Sequence, residues 1–322
     1  MFPGLADWIK MLLAFAVSLL VAYVMTPPVK RFAEKVGAID VPRDNRRVHD
    51  HPIPRMGGLA IFIGFVLSLI FFVPMSTKVL GLLVGSVIIA VMGGVDDIVS
   101  LNPWVKLAGQ IVAALVAIRC GLVFDVISNP NIFAEETYIE IGWLSIPLTM
   151  LWIVGCTNAV NLIDGLDGLA VGVSAISSMT MLIVSLFVSE PVVSIILAAL
   201  TGACLGFMPY NLNPAKIFMG DVGSQLLGFV LSTASIMGLF KLHAIITFFV
   251  PLLALRCRWP IRSLLSSAGY CMGRARSRLT RGTSTTGCLQ WGSTRSRSLR
   301  CCTVSRRCWD CWPCSWPGTA WR

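Results

Sequence analysis

Apolar runs of about twenty residues, each broken by a short polar stretch, decide what this chain can become. A helix needs roughly 20 residues to cross the hydrocarbon layer of a membrane. Hydropathy gives such runs near 8–26, 57–74, 79–95, 103–122, 143–161, 169–188, 192–209, 222–240 and 243–255. They predict an all-α fold, a polytopic transmembrane helical bundle of about nine spans. Composition agrees, because 56% of the residues are hydrophobic and 13% charged, a balance foreign to soluble globules. The run from Trp8 to Met25 lacks the flanks of a cleaved signal, so it is expected to remain as the first span.

The net charge of +10 is not spread along the chain. Residues 256–322 hold 13 Arg against one Asp, whereas residues 1–255 hold 13 Lys and Arg against 15 Asp and Glu. The basicity therefore gives the body no nucleic-acid partner. The expected division is a transmembrane domain over 1–255 and an aberrant Arg-, Cys- and Trp-rich tail over 256–322. Eight of the 11 cysteines lie in that tail. Cys120, Cys156 and Cys204 sit in apolar runs and read as small buried hydrophobes.

Orientation follows from the loops. The connection 28–56 carries Lys30, Arg31, Lys35, Arg43, Arg46, Arg47 and Arg55, so the positive-inside rule places it in the cytoplasm and the N-terminus outside. The acidic loop 123–142, with Asp125, Glu135, Glu136 and Glu140, then falls outside. Parity does the rest. Asp96-Asp97 ends the third span, Asp164 and Asp167 end the fifth, and Asp221 opens the eighth. All five carboxylates should meet on the face that holds the basic loop.

A cluster of carboxylates repels itself unless cations stand among it, and hard oxygen ligands select Mg²⁺ or a similar ion. With a basic loop nearby, a phosphorylated substrate held by metal and Arg or Lys is the natural partner. The same acids also fit solvated helix ends, although the helix dipole disfavours Asp96-Asp97 at a C-terminus. In Asn158-Ala-Val-Asn-Leu-Ile-Asp-Gly-Leu-Asp-Gly168, the three-residue spacing of Asp164 and Asp167 puts both on one side of a turn, and capping is the plainer role. Three roles stay open to Lys106: pairing with Asp96 or Asp97, meeting a phosphate, or snorkelling. Asn211 and Asn213 read as turn residues or site groups. Phe218 reads as an interfacial aromatic or a stacking surface for a base.

Together, Asp96-Asp97, Asn158-Ala-Val-Asn-Leu-Ile-Asp-Gly-Leu-Asp-Gly-Leu-Ala170 and Phe218-Met-Gly-Asp-Val-Gly-Ser224 resemble the polyprenyl-phosphate N-acetylhexosamine-1-phosphate transferases, over about residues 8–255. Arg47-Val-His-Asp-His-Pro-Ile-Pro-Arg-Met-Gly-Gly58 is similar to the branch that uses UDP-N-acetylglucosamine. The resemblance implies that a phosphate oxygen of undecaprenyl or another polyprenyl phosphate attacks the β-phosphorus of the UDP-sugar. UMP then leaves, at the cytoplasmic face of the inner (plasma) membrane. It implies Asp96 as acceptor of the lipid phosphate proton, Asp97 as its partner, and Asp221 as ligand of Mg²⁺, with Mn²⁺ as substitute. It implies Asn158, Asn161, Asp164, Asp167 and Phe218 around the nucleotide sugar, and Lys106, Arg47, His49 and Arg55 as phosphate or substrate contacts.

The family continues past the ninth run with a Pro- and Asp-containing segment and a loop bearing His-x-His-His-Arg, neither of which is written here. Reading the codons of Leu279–Trp291 one nucleotide earlier permits Asp-Lys-Gly-His-Leu-His-His-Arg, and the same shift near Cys257 permits Val-Pro-Met-Ala-Asp. A frameshift after about residue 255 is therefore expected, leaving the chain as written weakly active or inactive. The competing reading of the tail is a zinc module at Cys308, Cys311 and Cys314 with Cys301 or Cys302. For the body, two other classes remain: an intramembrane aspartyl protease built on Gly220-Asp221, and an ion-coupled transporter, which would want its acids at mid-span.

Overall fold

The computed structural model describes residues 4–40, 52–124, 126–128, 138–140, 142–188 and 190–238. The chain divides into two compact units, Met1–Pro260 and Ile261–Arg322, and every described residue lies in the first. Eight helices follow the first eight predicted runs: α1 Leu5–Val36, α2 Gly58–Phe72, α3 Thr77–Val99, α4 Pro103–Arg119, α5 Ser145–Ile163, α6 Leu169–Val188, α7 Pro191–Asn211 and α8 Gly220–Met237. The ninth run, 243–255, and the whole tail lie outside the described residues. By length and composition α1, α3, α5 with its preceding 3-10 turn, α6 and α7 can each cross a membrane. The other three helices are shorter or more polar, for reasons that become clear at the site.

Local chemistry sets the helix starts. Ser76 accepts the N–H of Val79 at 3.4 Å to open α3, and Asn102 accepts that of Trp104 at 3.0 Å to open α4. Pro103 and Pro191 occupy the first helical positions of α4 and α7, where a missing N–H costs nothing. One expectation needs correction. The first helix continues to Val36 and carries Lys30, Arg31 and Lys35 on helix rather than loop. The apolar run stops near residue 26, but Ala, Glu, Lys and Arg all favour helix, so α1 projects beyond its apolar part until Gly37 ends it at φ 79°. Two small antiparallel pairs also interrupt the all-α plan: β1 Ile39–Asp40 with β2 Ile53–Pro54, and β3 Val126–Ser128 with β4 Tyr138–Glu140.

Packing falls into two groups. In the first, α7 lies against α1, α2 and α6, and α1 against α2. Gly202 and Gly206 of α7 let the α1 backbone come close, since a Cβ on them would lie 2.3 Å from the Phe15 carbonyl oxygen and 2.2 Å from that of Leu19. This is the small-residue spacing that brings membrane helices together. The Ser18 hydroxyl adds a bond to the Ala199 carbonyl, and Ser68 one to that of Ala14 at 3.1 Å. In the second group, α8 packs against α3 and α5, and α4 against the same two helices. α8 also touches α2, α6 and α7. It is the central helix, buried at every residue from Val222 to Ile236.

Candidate active site

The five acids meet as parity requires, and they do so around the first turn of α8. Asp97, near the end of α3, has a side chain only 1% exposed. Its two oxygens accept the backbone N–H groups of Asp221 at 2.9 Å and Val222 at 3.3 Å. These are orphan donors of a helix start, where negative charge is favoured. Gly220 makes this approach possible. It sits at φ 73°, and a Cβ there would lie 2.4 Å from an Asp97 carboxylate oxygen. Asp97 therefore fixes α8 against α3 before any ligand is considered.

Asp96 points the other way. Its Oδ1 accepts the N–H of Leu101 at 2.6 Å, just past the α3 C-terminus, and its Oδ2 pairs with the Lys106 ammonium. The Lys106 Nζ also donates to Asp221 Oδ2 at 2.6 Å. Of the three roles left open for Lys106, pairing is the one seen. It bridges two carboxylates that would otherwise repel, and it joins α3, α4 and α8 at one point. Arg55, in the segment between β2 and α2, adds a second cation, its Nε 3.9 Å from Asp97 Oδ1.

The segment holding Arg55 is stitched to the residues before Asp221 by backbone alone. Phe218 N–H donates to the Pro54 carbonyl at 2.8 Å. The Gly57 and Gly58 N–H groups donate to the carbonyls of Phe218 at 2.9 Å and Met219 at 2.8 Å. The end of the basic connection and the start of α8 thus form one unit. Phe218, half-buried, is held here by its backbone. Arg47 and His49 lie outside the described residues.

The fifth span delivers its polar residues along α5 and its end. Asp164 is the C-cap of α5, its N–H bonded to the Val160 carbonyl at 3.3 Å. Burial pushes its carboxyl up to about 7, helped by the negative charges of Asp221, Asp97 and Asp167 and opposed by Arg55. Asp167 Oδ2 accepts the N–H of Ala215 at 3.2 Å, while Asn211 accepts that of Gly168 at 3.2 Å and donates to the Ile217 carbonyl at 3.0 Å. These bonds lash the Asp164–Gly168 turn to the α7–α8 connection. Asn161 accepts the Ser224 hydroxyl at 3.2 Å, tying α5 to α8. Asn158 lies one turn deeper and bonds to Gln110 of α4 rather than facing the acids directly.

Sequence reasoning gave no role to Gln110, Gln225 or Ser224, and it kept Asn211 open between turn residue and site group. The missed signal was spacing: Gln110 follows Lys106 by four and Gln225 follows Asp221 by four, so each shares a helix face with a charged residue. These polar residues also lower the hydropathy of α4 and α8.

Chemically, the site offers hard oxygen donors in excess of its cations. Five carboxylates act on one another beside Lys106 and Arg55. Among the described residues no three His, Cys, Asp or Glu side chains are placed to hold a metal ion by themselves. Mg²⁺ keeps waters and takes one or two carboxylates together with substrate phosphates, so it does not require such a trio. The donor set fits such an ion at Asp221.

Several known proteins are similar to this chain. The sequence model described as glycosyl transferase family 4 matches residues 79–239. A probable undecaprenyl-phosphate N-acetylglucosaminyl 1-phosphate transferase of Bacillus subtilis (strain 168) is 44% identical over 248 residues, covering 77% of this chain and 68% of that protein. A decaprenyl-phosphate N-acetylglucosaminephosphotransferase of Mycobacterium tuberculosis (strain ATCC 25618 / H37Rv) is 38% identical over 236 residues, 67% of this chain and 57% of its own length. A phospho-N-acetylmuramoyl-pentapeptide-transferase of Staphylococcus haemolyticus (strain JCSC1435) is 37% identical over 198 residues, covering 57% of this chain and 62% of that protein.

Proposed function

We propose, because this chain belongs to glycosyl transferase family 4, that it is a membrane enzyme passing a sugar 1-phosphate from a UDP-sugar to a polyprenyl phosphate. The observation that carries the reading is the Lys106 bridge between Asp96 and Asp221, set among helix ends rather than at mid-span. A phosphate brought by a lipid and a phosphate brought by a water-soluble nucleotide meet only at a membrane edge. The names of the Bacillus and Mycobacterium relatives support a polyprenyl phosphate acceptor and the transfer of a sugar phosphate.

The donor is UDP-N-acetylglucosamine and the acceptor undecaprenyl phosphate or a close relative. The N-acetylglucosamine assignment rests on the Arg47–Gly58 stretch and on the names of the Bacillus and Mycobacterium relatives. The protein sits in the inner (plasma) membrane with its acids toward the cytoplasm, as the basic connection argues.

In the reaction, an oxygen of the polyprenyl phosphate bonds to the β-phosphorus. The bond from that phosphorus to the bridging oxygen breaks, and UMP departs with the oxygen. Any proton on the acceptor phosphate passes to Asp96, which needs little basicity because the second pKa of such a phosphate is about 6. Lys106 meets the phosphates that displace it from Asp221, and Arg55 adds charge on the same side. Asp97 keeps the α8 start in place, while Asn161, Asp164, Asp167 and Phe218 face the nucleotide. Asp221 would hold Mg²⁺, or Mn²⁺ in its place, and the ion would offset phosphate charge as it builds toward the leaving group. Most of the catalysis is positioning and charge neutralisation.

The test is Mg²⁺-dependent release of UMP from UDP-N-acetylglucosamine by membranes given polyprenyl phosphate. It is run with the chain as written and with the tail read in the alternative frame. Release is expected at least from the frame-restored protein, and its absence there from a folded protein would sink the assignment.

A further inference from the structure

Beneath the carboxylates, Asn158, Gln110 and Gln225 form a layer of carboxamides bonded to one another. Asn158 Nδ2 donates to Gln110 Oε1 at 2.6 Å, and Gln110 Nε2 donates to Gln225 Oε1 at 3.1 Å. Gln110 is 2% exposed and Gln225 fully buried. The chain of bonds links α5 to α4 and α4 to α8. It ends on a buried donor, Gln225 Nε2, that has no hydrogen-bond partner among the described residues.

Packing alone does not account for these side chains. A carboxamide buried in an apolar helix is costly unless fully bonded, and an unmet donor is a net loss that leucine of similar size would avoid. What they do have is reach. α4 and α8 each pack against α3 and α5, but they do not pack along each other. Two side-chain bridges cross between them: Lys106 to Asp221, and one turn deeper Gln110 to Gln225.

We propose that Gln110 and Gln225 are positioning residues that hold α4 and α8 at the separation where Lys106 meets Asp221. They hold it still when substrate phosphates draw Lys106 away. The inference rests on the sugar-phosphate transfer reading, since only an incoming phosphate or ion gives Lys106 a reason to leave. The upper bridge is exchangeable and the lower one is not: Gln110 and Gln225 are buried, and no substrate group reaches them. Without the lower bridge, the cleft would relax each time the upper one opened, and the phosphates would be met by a lysine and a carboxylate out of register.

The experiment compares Gln110→Leu with the pair Gln110→Leu and Gln225→Leu, in the full chain with the tail frame that supports UMP release. Melting temperature in detergent is read beside kcat and KM per folded molecule. The single variant strands the whole Gln225 carboxamide and should melt lower. The pair removes both amides, and Asn158, which loses Gln110, keeps its bond to the Val154 carbonyl at 2.8 Å, so the pair should melt close to the parent. Its kcat should nonetheless be about 10- to 100-fold down, as for a small misplacement of reacting groups, with KM for the UDP-sugar within about threefold. A paired variant that recovers kcat along with its melting temperature would overturn the proposal and leave the reaction assigned. So would one whose activity loss only follows its folded fraction. A parent protein that releases no UMP in either frame would instead remove the reaction itself, and the proposal with it.

Discussion

The α1–α7 pair and the α4–α8 pair belong to one bundle and are joined by opposite means. Between α1 and α7, Gly202 and Gly206 let the helices close until backbone meets backbone. Between α4 and α8 the span is crossed by long polar side chains, two of them charged. In lipid there is little hydrophobic drive between helices, so close packing of small residues is what binds firmly, whereas single polar bonds contribute modestly, on the order of 0.6 kcal/mol on average. The seam is therefore fixed, whereas at the cleft the Lys106–Asp221 bridge is exchangeable above a buried Gln110–Gln225 bridge that stays. Cohesion is placed where no substrate goes, and weak, replaceable bonds where substrate must enter.

The strongest way to break this contrast is at the cleft. Asp221→Asn should lower UMP release by roughly 10²–10³-fold, the size of effect expected when a charge-stabilising group is lost from a phosphoryl-transfer site, with a melting temperature near the parent's. Lys106→Met should come next. It leaves Asp96 and Asp221 without the ammonium between them, and we expect about 10²-fold loss of kcat together with a raised requirement for Mg²⁺, read by titrating the ion at saturating UDP-sugar.

The seam should answer in the other observable. Gly206→Val would press a side chain onto the Leu19 carbonyl, 2.2 Å from the position of its Cβ. Overpacking of this kind costs about 1–3 kcal/mol, so the folded yield and melting temperature should fall while kcat per folded molecule stays within about twofold of the parent. A large kcat change there would blur the division between seam and cleft.

The last expected effect concerns protons. Asp164 ionises near pH 7 in the folded protein, well above an ordinary carboxyl at 3.8. Between those values the unfolded chain loses its proton while the folded one keeps it, so stability falls as pH rises through that window. Without divalent cations, Asp164→Asn should therefore raise the melting temperature at pH 8, raise it less at pH 5, and leave it unchanged below pH 3.5. An equal shift at all three would mean that the carboxyl's proton is not the cause.

Much of this division could be read from residues alone, and the reason is physical. Spans of about twenty apolar residues leave little choice of structure in lipid, and counting them sends Asp96, Asp97, Asp164, Asp167 and Asp221 to one face without any knowledge of contacts. The reach of α1 to Val36 was hidden because Lys30, Arg31 and Lys35 look like loop when only hydropathy is read. Gln110 and Gln225 were hidden for a different reason. A lone amide in an apolar helix gains meaning only once its neighbour across the gap is known, and α4 and α8 are separated by three helices' worth of chain. Asp97 shows the same limit, since its motif marks it as a site residue but nothing local reveals that its oxygens hold two amides of α8.

That last bond has a bearing on how the protein is built. Asp97 waits through 124 further positions before Asp221 is synthesised. Until then α3 must enter the membrane with its terminal carboxylates served by water, and α4 and α5 must settle beside it with a vacancy where α8 will stand. The ribosome therefore delivers the keystone late. A stall in translation or insertion after α7 but before residue 220 leaves both seam helices in place beside an open, acidic slot, a species that membrane quality control can recognise by its unburied charge.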